Sequence, residues 1–202
     1  MTDRPIIFSV PMIRALLEGR KSQTRRMAWK LWRDPDMRDE MRPSKWQRVQ
    51  PGDRLWVRES GVQLGNATDD GRERDGYEVC GFRYTSDGST IYLPGKFEGH
   101  DYEASRPSIH MLRWASRLTL TVIAVRVERL QDISEEDARA EGMADIGDAE
   151  MKRIGIDGLV ASTSGRRSFW LLWDHLHGPA AWNANPAVTV INFDVAKRNI
   201  DE

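Results

Sequence analysis

Short apolar runs alternate along the chain with polar stretches broken by glycine, and the runs predict the elements. Ile6-Ile7-Phe8-Ser9-Val10 is the first run and predicts a buried strand. Pro11 opens a helical pattern with Met12, Ala15 and Leu16 on one face, and Gly19 ends it. Residues 28–48 mix Trp, Arg, Asp and Met without periodicity and read as an irregular insertion. Pro51-Gly52-Asp53 is a turn, and the alternation of Arg54-Leu55-Trp56-Val57-Arg58-Glu59 predicts a half-buried strand. Residues 60–110 carry eight glycines and read as the least regular part, a functional elaboration or flap. Short strands are expected there at Phe82-Arg83-Tyr84 and Thr90-Ile91-Tyr92-Leu93.

Leu118 to Leu130 is rich in β-branched residues and gives the clearest strand. Ser134 caps a helix that begins Glu135-Glu136-Asp137 and runs to about Glu141. Residues 145–165 are again glycine-rich and weakly patterned. A stronger helix covers Ser168 to His175, with Phe169, Leu172, Trp173 and Leu176 at core spacing, and Gly178-Pro179 stops it. Ala187 to Phe193 alternates as a closing strand. Several strands with two or three short helices predict an α+β domain or a small β-barrel.

The 202 residues suffice for one domain with insertions, and 40% hydrophobic residues suffice for a core. No apolar stretch reaches the ~18 residues of a membrane span, and the N-terminus lacks the pattern of a signal peptide, so the expected compartment is the cytoplasm. A single cysteine, Cys80, leaves no internal disulfide or multi-cysteine zinc site. The net charge of −1 conceals an asymmetry. Residues 1–60 hold 14 Lys/Arg against 8 Asp/Glu, whereas residues 61–202 hold 16 against 23. A basic first third suggests a phosphate-facing surface.

Several chemistries lack their motifs: phosphate-binding glycine loops, the hydrolase Gly-x-Ser-x-Gly elbow, and the His spacings of zinc enzymes. No metal and no cofactor is expected. The acidic group Asp34, Asp36, Asp39 and Glu40 reads as a solvated loop.

The run Gly19-Arg20-Lys21-Ser22-Gln23-Thr24-Arg25-Arg26 resembles the signature of the ASCH domains, a branch of the PUA-like superfamily, through Gly19, Lys21, Thr24 and Arg26. The Gly52-Asp53 turn into a strand, the block from Leu118 to Gly142 and the closing helix and strand fit the same order. Together they cover about half the chain. The remainder resembles the insertions of longer, phage- or prophage-type members, at about 28–50, 60–112 and 145–165. The resemblance implies a single domain: a small PUA-like β-barrel with flanking helices and a cleft at the signature. Among its members are bacterial N4-acetylcytidine amidohydrolases, whose Lys, Thr and Glu fall here on Lys21, Thr24 and Glu141. It thus implies removal of an acyl group from the exocyclic nitrogen of a cytosine nucleoside or nucleotide; RNA- or modified-base binding without catalysis is the alternative. Spacing alone favours an ordinary surface ion pair and a helix-end acid for these three residues.

A threonine hydroxyl needs a base to become a nucleophile, and Lys21 serves only if burial or the neighbouring cations Arg20, Arg25 and Arg26 lower its pKa. In a regular strand Lys21 and Thr24 face opposite ways, so the motif requires a turn or bulge. Arg20, Arg26, Arg58 and Glu59 are candidate substrate-binding residues beside this set. His110, Arg113, Trp114 and Arg117 form a second cluster suited to a base or phosphate. Trp29, Trp32 and Trp46 lie among basic residues, the mixture that base stacking and phosphate neutralisation use. Trp56, Trp170, Trp173 and Trp182 are expected to pack in the core.

Overall fold

The computed structural model describes residues 1–32, 40–67, 77–96, 99–143 and 164–202. The chain divides into two units. The first comprises Met1–Thr2, Ala15–Asp53 and Thr121–Val195; the second comprises Asp3–Arg14, Arg54–Leu120 and Ala196–Glu202.

In the first unit, β10 (Thr119–Arg129), β11 (Ala187–Ala196) and β2 (Gln23–Met27) are neighbouring strands in that order. β11 and β2 run antiparallel, with Ile191 opposite Thr24. The apolar residues of β11, among them Val188, Val190, Ile191 and Phe193, are buried. Helix α2 (Glu135–Ala140) begins as its sequence predicts, with the Ser134 hydroxyl accepting from the Asp137 N–H. Helix α3 (Gly165–His177) starts three residues before the expected Ser168, because Ser164 caps it and Glu135 accepts from the Gly165 and Arg166 N–H groups. Phe169, Leu172 and Trp173 are buried as expected, but Trp170 and Leu176 are exposed, at 37% and 57%. The helix buries a narrower stripe than the sequence suggests.

Residues 28–48 are more regular than expected. They contain an antiparallel hairpin of β3 (Trp29–Trp32) and β4 (Glu40–Pro43), followed by a 3₁₀ turn over Lys45–Arg48. Every residue of both strands is exposed, so no buried face imposes the hydrophobic alternation by which strands are recognised in sequence.

In the second unit, β1 (Asp3–Ile7) pairs in parallel with β5 (Arg54–Arg58). Asp3 accepts two hydrogen bonds from Arg54, each 3.0 Å. Residues 60–110 also correct the sequence reading. They form an antiparallel sheet in the order β8 (Thr90–Tyr92), β7 (Tyr77–Tyr84), β6 (Gly61–Ala67), β9 (Tyr102–Arg106). Phe82, Tyr84, Met111 and Ala115 form a core for this unit, and Trp114 packs against it. The short strands expected at 82–84 and 90–93 are present in β7 and β8, whereas a bulge at Leu64/Gly65 and glycines at 61, 65 and 81 hide β6 and the start of β7 from a pattern search.

Helix α1 (Val10–Leu17) lies where Pro11 and Gly19 place it. The first apolar run forms its strand slightly early, at Asp3–Ile7 rather than to Val10. The architecture is α+β, dominated by sheets. Among the described residues the sheets are open and no closed barrel is found, so the expected PUA-like barrel is not seen. The expected insertion at 145–165 lies almost wholly outside the described residues, as do Asp34, Asp36 and Asp39. No described helix is long and apolar enough to cross a membrane.

Candidate functional site

The signature segment is held by backbone before its side chains matter. Gly19 takes a positive φ of 73°, which turns the chain out of α1. The Arg20 and Lys21 N–H groups then both donate to the Ala15 carbonyl, at 2.8 and 3.1 Å. Ser22 donates to the Ala140 carbonyl and accepts from Phe193, and Lys21 forms an isolated antiparallel bridge with Glu141. Regular strand begins only at Gln23. The segment thus leaves α1 through a tight turn and enters regular strand two residues after Lys21.

Lys21 is 2% exposed and Glu141 3%. The Lys21 ammonium donates at 2.8 Å to each of three oxygens: the Gln23 carbonyl, the Glu141 carbonyl and Glu141 Oε2. Glu141 is the C-cap of α2, so its carbonyl is one of the helix's orphan acceptors, and Lys21 satisfies it. Burial pushes the Lys21 pKa below the usual lysine value. Glu141 opposes that shift, and Arg26 and Arg25 add to it. Thr24 is 1% exposed on β2. The carbonyl that Lys21 grips belongs to the peptide linking Gln23 to Thr24, so the amine lies beside the Thr24 backbone.

Arg25, expected only as a neighbouring cation of Lys21, has carboxylate partners that the sequence did not show. Its buried guanidinium donates to Glu141 Oε1 at 3.2 Å, so the two Glu141 oxygens are divided between Arg25 and Lys21. It also donates to Glu128 at 2.6 Å and Asp137 at 3.0 Å, and Arg126 pairs with the same two acids. Three cations thus face three carboxylates. The acids that engage it lie more than 100 residues downstream, so nothing near Arg25 in the sequence points to them.

Arg26 lies under the charge of Glu141 and has its guanidinium 5.7 Å from the centre of the Trp46 ring. Arg20 pairs with Glu18 and donates to the Gly142 carbonyl. Gly142 has a φ of 87°, and a Cβ there would lie 2.9 Å from the Ala15 Cβ and 3.3 Å from the Lys21 Cβ. Only glycine fits between Glu141 and the Lys21 side chain in this conformation.

The first unit thus holds Lys21, Thr24, Glu141, Arg20 and Arg26, and the second holds the other candidates. There Arg117 donates to both Glu59 oxygens at 2.9 Å and to Asp87 at 2.7 Å, and it lies 3.8 Å from the centre of the Tyr84 ring. Glu59 is 1% exposed and also accepts from Ser86. Arg58 donates to the Met111 carbonyl, and Arg113 pairs with Asp3 and Asp201. His110 is exposed and Trp114 half-buried. These arginines and Glu59 are bound up in the unit's own ion pairs and hydrogen bonds.

A cavity of about 1010 Å³ in the first unit is lined by β3, β4 and the following turn; the Lys21 set lies outside its lining. Among the described residues no group of three or more His, Cys, Asp or Glu is placed to hold a metal ion. No protein-family model, no curated protein and no solved structure matches this chain.

Proposed function

We propose that the protein is an amidohydrolase that removes the acyl group from the exocyclic nitrogen of N4-acylated cytosine nucleosides or nucleotides. The observation that carries this reading is the buried Lys21–Glu141 pair, whose lysine has its pKa lowered by burial while it grips the peptide bearing Thr24. A lowered pKa raises the share of neutral amine that can act as a base.

In the proposed reaction the Thr24 hydroxyl gives its proton to the Lys21 amine as its oxygen bonds to the acyl carbonyl carbon. The carbon–N4 bond then breaks, and the proton returns from Lys21 to the departing nitrogen. Cytidine leaves, and the acyl group stays on Thr24 as an ester. Water, deprotonated by the same amine, attacks the ester and releases the carboxylic acid and the free hydroxyl. Glu141 Oε2 stabilises the lysinium formed in each step, while Arg25 holds the carboxyl group from its other oxygen. Lys21, Thr24 and Glu141 are each at most 3% exposed, so turnover requires local opening to admit the acyl group.

The test is incubation with N4-acetylcytidine, following cytidine release by ultraviolet absorbance. Release by the wild type that is lost in Thr24→Val and in Lys21→Met, with both variants folded by circular dichroism, supports the reading. No release from N4-acetylcytidine or from longer N4-acyl homologues overturns it, and so does undiminished release by Thr24→Val.

A further inference from the structure

The exposed hairpin of the first unit has a composition that its own fold does not require. Trp29 is 40% exposed and Trp32 49%, although neither strand contributes a buried residue. Leaving two indoles this wet forgoes the burial that usually keeps tryptophan in a structure. The cavity of about 1010 Å³ that they line with Trp46 is also rimmed by Lys30, Arg42 and Lys45. Arg48 is a further cation on its lining, and Glu40, which pairs with Arg42, is the acid there. Cations and rings are interleaved: Arg42 lies 5.0 Å from the centre of the Trp32 ring, and Lys45 4.6 Å from that of Trp46.

We infer that this groove binds single-stranded RNA, with bases stacked on the indoles and phosphates held by the flanking cations. Among the described residues the lining carries an excess of positive charge, which selects a polyanion. The flat rings discriminate among polyanions: an acidic peptide satisfies the cations but offers no planar group to the tryptophans, whereas every nucleotide offers both. Three indoles and four cations exceed what one mononucleotide covers, so the occupant is a strand. A single strand is required, because a duplex keeps its base faces stacked on one another. The choice of ribose rests on the acylcytidine reading above. The groove then makes the substrate an acylated cytosine within an RNA chain, with neighbouring nucleotides held at the hairpin.

Fluorescence anisotropy of a labelled, unmodified ten-nucleotide oligocytidylate tests this independently of catalysis. The expected result is saturable binding that weakens about tenfold in Trp32→Ala and again in Trp29→Ala. The logarithm of affinity should fall with the logarithm of salt with a slope of about −2 or steeper, as for three or more neutralised phosphates. Both tryptophans are exposed, so these variants keep the fold, which circular dichroism checks. Thr24→Val should bind as the wild type does, so a failed acyl-hydrolysis assay leaves this result standing, and the converse holds. Absent binding, binding indifferent to both tryptophan changes, or equal competition by polyglutamate overturns the proposal. Equal or tighter binding of the matching oligodeoxycytidylate overturns the assignment to RNA.

Discussion

A lysine whose ammonium protons all meet protein oxygens, in a site sealed from water, is held between two opposed forces. Glu141 and two carbonyls favour the charged form, and loss of hydration disfavours it more strongly. The direction fixes the pH dependence. Between the lowered folded value and the ordinary value of 10.5, the unfolded chain binds more protons than the folded one. Stability relative to Lys21→Met should therefore rise as pH climbs through that window, and urea unfolding at stepped pH measures it. If Lys21 is the base, the rate of acyl release rises with pH over the same titration. Glu141 is the more sensitive partner. Glu141→Ala strands two buried cations, Lys21 and Arg25, and should cost about 3–5 kcal/mol in urea unfolding at neutral pH. Lys21→Met leaves Glu141 paired with Arg25 and should cost clearly less. The motif displayed Lys21, Thr24 and Arg25, but not the carboxylates that Arg25 meets. An arginine among four basic residues in seven positions is indistinguishable in sequence from a solvated one until its carboxylates are located in space.

At the scale of elements, the joint between α1, the signature segment and the end of α2 depends on Gly142. Its φ of 87° and the nearby Ala15 Cβ leave no room for a side chain. Gly142→Ala should destabilise by at least the ~1–2 kcal/mol of a left-handed alanine, seen as a lowered denaturation midpoint. It should also lower acyl release, because Glu141 and the Lys21 side chain move with that turn. Ser134→Ala, which removes the α2 cap, should cost about 1 kcal/mol in the same measurement. Elements with a capped start and a one-sided apolar face were legible: α1, α2, β5 and β11 lie near where pattern and caps put them. The β3–β4 hairpin was not, because both its faces are wet; of the β6–β9 sheet only β8 and the end of β7 were legible, because glycines and a bulge break the period of the rest.

At the scale of the whole molecule, each unit carries its own core and its own ion-pair network. The lone thiol offers a way to watch the second unit open. Cys80 is 1% exposed and burial raises its pKa, so a thiol reagent should label native protein only through transient opening. Labelling should be far slower in native buffer than in urea. Tyr84→Phe should accelerate it, because the Ala115 carbonyl then loses a 2.7 Å hydrogen bond inside the same unit. The basic excess of residues 1–60 was visible in the sequence, and part of it surrounds the exposed tryptophans of the hairpin.

The sequence by itself determined the α+β character, the capped helices, the strongest strands and the position of the Lys21–Thr24 motif. Caps, turns and one-sided hydrophobic periodicity are local, and they act within a few residues of where they are written. The tertiary structure alone decided which carboxylates surround Lys21, that Arg25 shares Glu141 with it, and that the basic, tryptophan-rich segment forms a hairpin lining a groove. It also decided that residues 60–110 build a sheet with its own core, and that the sheets stay open among the described residues. Partners separated by 100 residues or more, and strands exposed on both faces, leave no periodic trace in a chain. Only the folded backbone brings them into register.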